Sequence, residues 1–179
     1  MHRSRREANL LGSASLAVVD RMLAACRSEA SSTGESAAGI VAAATFLAGS
    51  SIEALSRSVG LTHSATVRLV DKLEARGDLE RRPGPDRRSV AVVATRQGKN
   101  LAGGVLAARE TALEEMLGAL TTAERRELAR LHEKLLAGVV RAGATTTNVC
   151  RLCDADSCGH DVGRCPVTET AREPTGSPR

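Results

Sequence analysis

Apolar residues recur with helical spacing in two short segments between residues 51 and 76. In the first segment, Ser50 and Glu53 have the spacing of a capping box, and Gly60 suits the end of a helix. Thr62 is a suitable N-cap for the second segment. The core-facing positions of that second segment lie on one helix face: Thr66, Leu69, Val70 and Leu73. The pattern predicts two short helices joined by a tight turn.

Two β-like runs follow this pair of helices, within residues 78–94. They are separated by Pro83-Gly84-Pro85-Asp86, which cannot continue a strand and is typical of a loop. Helix, turn, helix and hairpin is the order of elements in a winged helix-turn-helix, which places its second helix in the major groove of DNA. We therefore predict a helix-turn-helix over 51–76 and a wing over 78–94.

Four further segments have the periodicity of amphipathic or alanine-rich helices: 8–27, 37–48, 95–118 and 121–141. One winged domain over 8–142 cannot cover so much apolar helix surface, and a symmetric homodimer is the simplest way to bury the rest. The predicted fold class is mostly α with a small β-hairpin wing, dimerising through the N- and C-terminal helices. Cys26 lies on the apolar face of the first helix and is predicted to be a buried, inert thiol.

Residues 60–99, GLTHSATVRLVDKLEARGDLERRPGPDRRSVAVVATRQGK, resemble the DNA-binding core of MarR-type transcriptional regulators, and the close match extends over about 45 residues. The resemblance implies a homodimer whose first and last helices interleave across a two-fold axis. It also implies a wing Asp-Arg pair on DNA, and a small phenolic or lipophilic ligand or an oxidant as effector. Two departures concern DNA readout: the family's Val-Thr order is reversed as Thr66-Val67, and the wing is about one residue shorter.

The outward face of the second helix and the wing carry the predicted DNA contacts: His63, Ser64, Val67, Arg68, Lys72, Arg82, Arg87 and Arg88. The serine and the helix arginine can reach base edges or phosphates, and arginine paired with guanine is the commonest specific contact. The valine can pack on a thymine methyl group, and the lysine is placed for a phosphate. The last two arginines are candidates for the minor groove. A solvated hairpin tip and an ordinary exposed histidine are the alternatives.

Charge and composition narrow the class of protein. The formal net charge is +4, divided into +5 over residues 1–143 and −1 over 144–179, so the basic face belongs to the helical part. Residues 1–7 are basic and are predicted to be a disordered arm. No apolar stretch follows them, and no run approaches the about 18 apolar residues of a membrane span. We therefore expect a cytoplasmic protein without a membrane partner.

The tail contains the second motif, after a predicted linker over 143–149. Four of the five cysteines, Cys150, Cys153, Cys158 and Cys165, have the spacing C-x2-C-x4-C-x6-C within a segment spanning 150–167. In a reducing compartment such a cluster favours a metal site, and four thiolates suit tetrahedral Zn²⁺. An iron–sulfur cluster, a redox-active thiol group and an unbound tail are the alternatives.

Three other tail residues, Asp154, His160 and Asp161, could replace one cysteine ligand or lie around the site. Residues 168–179 are polar and proline-rich and are predicted to be disordered.

Taken together, these patterns predict a sequence-specific DNA-binding transcriptional regulator, a repressor of the MarR type that binds a pseudo-palindromic operator as a homodimer. The alternative is a metal- or redox-sensing regulator in which the cysteine-rich tail controls DNA binding. A thiol–disulfide oxidoreductase is a further alternative, since Cys150 and Cys153 form a C-x-x-C pair. The histidines are scattered, and no phosphate loop or nucleophile elbow is present, so we predict that the chain is not an enzyme.

Overall fold

A computed structural model describes residues 2–31, 34–44, 47–84 and 90–172. These residues form a mostly helical fold with a two-stranded antiparallel hairpin, which confirms the predicted mostly α fold with a small β-hairpin wing. In chain order the elements are α1 (His2–Ala30), α2 (Gly34–Ala44), α3 (Ile52–Val59), α4 (His63–Ala75), β1 (Leu79–Pro83), β2 (Val90–Ala94), α5 (Arg96–Leu117), α6 (Thr122–Arg141), α7 (Thr146–Val149), α8 (Ala155–Cys158) and α9 (Pro166–Arg172).

The two helices of the helix-turn-helix begin and end close to their predicted positions. Gly60 has φ of 72°, a left-handed conformation that glycine adopts without strain, and ends α3 as predicted. The Thr62 hydroxyl accepts a hydrogen bond from the Ala65 N–H and caps α4 as predicted. The predicted inward face of α4 is buried along its whole length. Its orientation therefore follows from the spacing of these apolar side chains.

The start of α3 differs from the prediction. Ser51, and not Ser50, is the N-cap, and its hydroxyl accepts from the Ala54 N–H at 3.2 Å. Ser50 pairs instead with Val92 in an isolated β-bridge, in which the Ser50 carbonyl accepts from the Val92 N–H and the Gly49 N–H donates to the Val92 carbonyl. The predicted capping box is wrong because the backbone of Ser50 belongs to this bridge, which is a contact between residues far apart in the chain.

The wing is an antiparallel hairpin in which Leu79 lies opposite Ala94 and Pro83 lies opposite Val90. Leu79, Val92 and Ala94 are buried, so one face of the hairpin packs on the helices. The wing tip at 85–89 lies outside the described residues. The buried base of the hairpin therefore fixes the wing on the helices.

Helix α2 lies at the centre of the core, packed against α1, α3, α4, α5 and the second strand. Its Ile40 and Val41 are fully buried. Gly98, near the start of α5, permits a close approach, because a Cβ there would lie 1.9 Å from the Asp78 carbonyl oxygen. The beginning of α5 is thereby held directly beneath the wing.

Helix α1 is longer than predicted and begins at His2, so the prediction of a disordered arm over residues 1–7 is wrong for residues 2–7. This segment contains three Arg and one Glu, which favour helix, and no proline. By length and composition alone, Arg5–Ala30 would also be long and apolar enough to cross a membrane. In this fold α1 packs along α5, and Arg21 pairs with Glu115 across the two helices.

The tail is folded rather than extended. The predicted linker over 143–149 contains α7, and α9 extends to Arg172 within the segment predicted to be disordered; residues 173–179 lie outside the described part of the chain. Leu152 and Val167 are buried, and Leu152 belongs to the main core cluster. The prediction failed because the few apolar residues of the tail pack on apolar surface that the long helices provide.

Helix α6 has no buried residue over its 20 residues. Its predicted apolar stripe faces outward, with Leu131, Leu135 and Val139 between 42% and 48% exposed. On α1, Leu10, Leu11 and Leu16 are also exposed. Large apolar side chains are therefore uncovered on both helices that were predicted to form a dimer.

Candidate nucleic-acid interface and cysteine cluster

The outer face of α4 presents polar and basic side chains to solvent. His63, Ser64, Arg68 and Lys72 are exposed, whereas Val67 is half-buried. The Ser64 hydroxyl lies 3.3 Å from the hydroxyl of the N-cap Thr62, so it adjoins the amino-terminal end of the helix. Two positively charged side chains, a hydroxyl and an imidazole thus share one accessible helix surface. This surface has the donors needed for phosphates and for acceptor atoms in the major groove.

Arg81 anchors the wing to the second helix. Its guanidinium pairs with Asp71 at 2.6 Å and also with Glu74, whose carboxylate accepts the Arg81 backbone N–H at 3.1 Å. These carboxylates raise the pKa of Arg81 against the opposing effect of burial. A charge with two carboxylate partners is already neutralised, so Arg81 positions the wing and is not a candidate phosphate contact. Its sequence position alone gave no sign of this role.

Of the three wing arginines predicted to contact DNA, Arg82 is the one within the described residues. Arg82 is exposed and pairs with its neighbour Glu80 at the surface. An exposed pair of this kind is weak and easily exchanged for a phosphate. Arg87 and Arg88 lie outside the described residues. The wing contribution to DNA binding therefore stays a prediction for these residues.

Asp78 joins α4, the wing and α5, and sequence reasoning missed it. Its carboxylate is 2% exposed and pairs with the Arg76 Nε at 2.9 Å, while Gln97 Nε2 donates to the other oxygen at 3.0 Å. Arg76 also donates to the Ala30 carbonyl at the end of α1. The network fixes the end of α4 relative to the helices beneath it. It gives α4 a defined orientation without touching its outer face.

The four tail cysteines line one cavity of about 340 Å³. The segment from α7 to α9 supplies the thiols, and the opposite walls come from Val19 and Met22 of α1, Arg109 of α5 and Leu136 of α6. All four cysteines are free thiols. The structure thus brings the predicted ligand set together, although the described residues contain no His, Cys, Asp or Glu group already in metal-ligand geometry.

The thiols adopt arrangements suited to their protonated forms. Cys153 Sγ donates to the Asp154 carbonyl at 3.5 Å, and Cys158 Sγ donates to the Ala155 carbonyl at 3.4 Å. Burial and the neighbouring thiols raise the pKa of Cys150 to about 11 and that of Cys158 to about 12. Without a cation, several thiolates in one half-buried cavity repel each other. Binding of a metal ion would release these thiol protons, because cysteine binds a metal as the thiolate.

Cys165 differs from the other three tail thiols. Burial opposes its ionisation, but hydrogen bonds from Thr168 and from backbone N–H groups lower its pKa overall. The Thr168 hydroxyl also lies 3.0 Å from His160 Nδ1. His160 therefore adjoins the cluster through Thr168, outside the set of four sulfurs, as a residue that could orient a ligand.

The two tail aspartates lie around the cluster. Asp154 caps α8, accepting from the Asp156 N–H and the Ser157 hydroxyl, and Asp161 is exposed. Neither aspartate lines the cavity that the four thiols share. In this arrangement cysteines alone are the candidate ligands.

The tail also contacts the helix-turn-helix directly. The Ser58 hydroxyl of α3 donates to the Thr147 carbonyl at 3.0 Å, and Asn148 Nδ2 donates to the Ser58 carbonyl at 3.1 Å. Helices α7 and α9 contact one another, and α9 packs on α6. The cysteine segment is therefore a physical connection between the long helix α6 and the first helix of the helix-turn-helix.

A separate cavity of about 460 Å³ lies between α1 and α5. Small side chains, including Ala24 and Ala108, leave this space, and Arg21, Glu29 and Glu115 supply charge to its walls. None of the predicted DNA contacts lines this cavity. It is a candidate space for a small polar effector.

Solved structures provide the comparison for this fold. A MarR family transcriptional regulator from Rhodococcus sp. RHA1 is 22% identical, with 74% of this chain and 94% of that chain covered and a TM-score of 0.59. The MarR family protein Rv2887 of Mycobacterium tuberculosis, in complex with DNA, is 26% identical over 72% and 95% of the two chains, with a TM-score of 0.58. The same protein in complex with p-aminosalicylic acid is 26% identical, with 72% of this chain and 96% of that chain covered and a TM-score of 0.59. No family model and no curated protein sequence matches the chain.

Proposed function

We propose that this chain, which has the winged helix-turn-helix fold of the MarR family of transcriptional regulators, is itself a sequence-specific DNA-binding regulator. The observation that carries the proposal is the outer face of α4, where Ser64, Arg68 and Lys72 are exposed on a helix whose other face is locked into the core. The network around Asp78 and the Arg81 ion pairs hold this helix in place. A rigid, basic helix surface of this kind suits the major groove.

The predicted contacts on α4 and the wing have distinct proposed roles. Arg68 binds a guanine edge, Ser64 a base or phosphate, and Val67 a thymine methyl group. His63, Lys72 and Arg82 bind phosphates, which position the helix without reading sequence. In the wing, Arg87 and Arg88 enter the minor groove.

We further propose a homodimer formed through α1 and α6. Exposed leucines on α1 and the uncovered stripe of α6 would be costly in water, and a symmetric partner buries both at once. Two copies of α4 then face half-sites about one helical turn apart, so the operator is pseudo-palindromic. Sedimentation analysis at micromolar concentration should give a dimer, and a stable monomer would contradict the interface.

The repressor role, the cytoplasmic location and a small effector belong to the same proposal. A regulator of this fold blocks transcription when its operator overlaps a promoter, and it requires no catalytic group. The cavity between α1 and α5 is the proposed effector site, and one structural neighbour is named as a complex with p-aminosalicylic acid. A thiol–disulfide oxidoreductase is disfavoured because a pKa of about 11 leaves Cys150 almost entirely as thiol at neutral pH.

One variant pair tests the DNA-binding proposal. Operators would be selected from random duplexes with the wild-type protein, and affinities for operator and random DNA compared by fluorescence anisotropy at fixed salt. Arg68→Ala should reduce the ratio of these affinities, since an arginine–guanine pair contributes about 1–3 kcal/mol of discrimination.

The control is Arg130→Ala, which removes an exposed arginine of α6 whose partner is Glu127. This variant should bind like the wild type. Equal loss of binding to operator and random DNA in Arg68→Ala would assign Arg68 to phosphate, and failure to select any operator would reject the proposed function.

A second candidate function is a regulator whose cysteine tail controls DNA binding. The hydrogen bonds between Ser58 of α3 and residues Thr147 and Asn148 of the tail favour it, because they provide a direct route from the thiols to the helix-turn-helix. A change in the tail can bias DNA binding only if it alters the position or mobility of α3.

A further inference from the structure

The cysteine cluster has no role in the proposed DNA contacts, yet the fold gathers it into one place. Four thiols from a segment of 16 residues line a single cavity whose other walls belong to three long helices. Cys165 is buried, and the remaining three thiols are half-buried. Four free thiols in a cavity of this kind, within one chain, form a complete set of ligands for a tetrahedral metal ion.

The separation of sulfurs that each kind of centre requires distinguishes one ion from a larger cluster. Cys150, Cys153, Cys158 and Cys165 all line the same cavity of about 340 Å³. A tetrahedral Zn²⁺ with bonds of about 2.3 Å holds its sulfurs about 3.8 Å apart, which is close to contact distance. A cluster of several irons would need its cysteines further apart, with the irons and sulfides between them.

The cavity also supplies charge for such a centre. Zn²⁺ with four thiolates carries a net charge of −2, which is costly in a half-buried site without a nearby cation. Arg109 and Arg151 both line the cavity. The Arg109 Nε is buried and has no hydrogen-bond partner among the described residues. An anionic metal–thiolate centre would give this arginine a counter-charge.

We propose that Cys150, Cys153, Cys158 and Cys165 bind one Zn²⁺ ion per chain, and that the ion makes the tail a fixed brace between α6 and α3. The residues that connect the ligands to α3 are Thr147 and Asn148, which directly precede Cys150. This inference does not depend on DNA binding, so it can fail while the proposed function stands.

The first experiment measures metal content in the full-length protein, purified under reducing conditions without added metal. We expect about one zinc per chain, and at least a fivefold lower content in Cys153→Ser and in Cys158→Ser. Cys26→Ser is the matched control, because Cys26 is a fully buried thiol on α1 outside the ligand set. The wild type reconstituted with Co²⁺ should show the intense thiolate charge-transfer bands of a four-sulfur site, which tests the ligands without any substitution.

The second experiment measures hydrogen exchange before and after removal of zinc by a chelator. A brace predicts faster exchange over 145–172 and over α3 in the metal-free protein, with little change in the central helix α2. Less than about one tenth of a metal per chain, iron with sulfide in place of zinc, or full zinc content in Cys158→Ser would each overturn the site. Unchanged exchange in the tail after zinc removal would overturn the brace.

Discussion

The helix-turn-helix and wing, residues 51–95, and the cysteine tail, residues 144–172, are both short segments with dense motifs, but they are ordered in different ways. In the first segment each element carries its own local signals, such as the Thr62 cap, the left-handed Gly60 and the apolar face of α4. In the tail the helices α7 and α8 have only four residues each, and the order comes from packing on other elements. Local signals fix an element, whereas the tail depends on its neighbours.

The largest expected effect compares one buried leucine from each region. Leu73 of α4 is 1% exposed and Leu152 of the tail is 5% exposed, and both belong to the same core cluster. Leu73→Ala should lower the free energy of unfolding by about 2–5 kcal/mol, and Leu152→Ala by an amount at the lower end of that range. Urea unfolding at equilibrium provides the measurement.

Leu135→Ala serves as the control in dilute protein, because this leucine is exposed in the single chain. An effect of Leu152→Ala below about 0.5 kcal/mol, the range of ordinary surface substitutions, would show that the tail is not part of the core. A large effect of Leu135→Ala would instead support burial of α6 in the dimer. The two unfolding free energies therefore decide whether the tail is ordered by packing on the core and whether α6 is buried in a dimer.

The wing arginines give the next effect, on DNA binding alone. Arg87→Ala combined with Arg88→Ala should weaken binding to operator and random DNA together and flatten the dependence of log affinity on log salt by about two units. Arg81→Ala is a contrasting variant, because Arg81 pairs with Asp71 and Glu74. This variant should weaken DNA binding by displacing the wing, and its salt dependence should stay close to that of the wild type. An unchanged slope in the double variant would remove the wing tip from the DNA.

The smallest expected effect concerns the connection between the two regions. Asn148→Ala removes the hydrogen bond to the Ser58 carbonyl, worth about 1 kcal/mol, but leaves all four cysteines in place. The variant should retain its metal, while operator affinity should become less sensitive to a chelator than in the wild type. Anisotropy titrations with and without chelator measure the difference. If chelator lowers the affinity of both proteins equally, the tail does not act through Asn148.

Several residues show where sequence reasoning succeeded. The thiol of Cys26 is fully buried, donates weakly to the Val105 carbonyl, and has a pKa raised by burial, as predicted for an inert core thiol. Helix α6, Thr122–Arg141, begins within one residue of the predicted segment 121–141, and a capping box of Thr121 and Glu124 fixes its start. Both predictions depend on the periodicity or spacing of residues within one helix. Predictions from residues within one helix hold in the folded chain where no contact with a distant residue replaces the local one.

Other residues show where such reasoning failed. Ser50 is not the predicted N-cap, because it forms a β-bridge with Val92. Arg81 anchors the wing to α4, because the hairpin register places it beside Asp71 and Glu74. No sequence motif marks Asp78, although its carboxylate joins Arg76 to Gln97 where α4, β1 and α5 meet. Each of these roles requires a partner from another element. Sequence spacing cannot specify such partners.

The sequence by itself determined the helix-turn-helix, the wing, the exposed face of α4 and the set of four cysteines, because each depends on residues close together in the chain. Only the tertiary structure decided that the tail folds against α1, α5 and α6, that its thiols share one cavity, and that Ser58 of α3 contacts Thr147 and Asn148. The physical reason is that the tail has too few apolar residues to form a core alone. Its order depends on apolar surface that the long helices leave uncovered, and that surface exists only after those helices have packed.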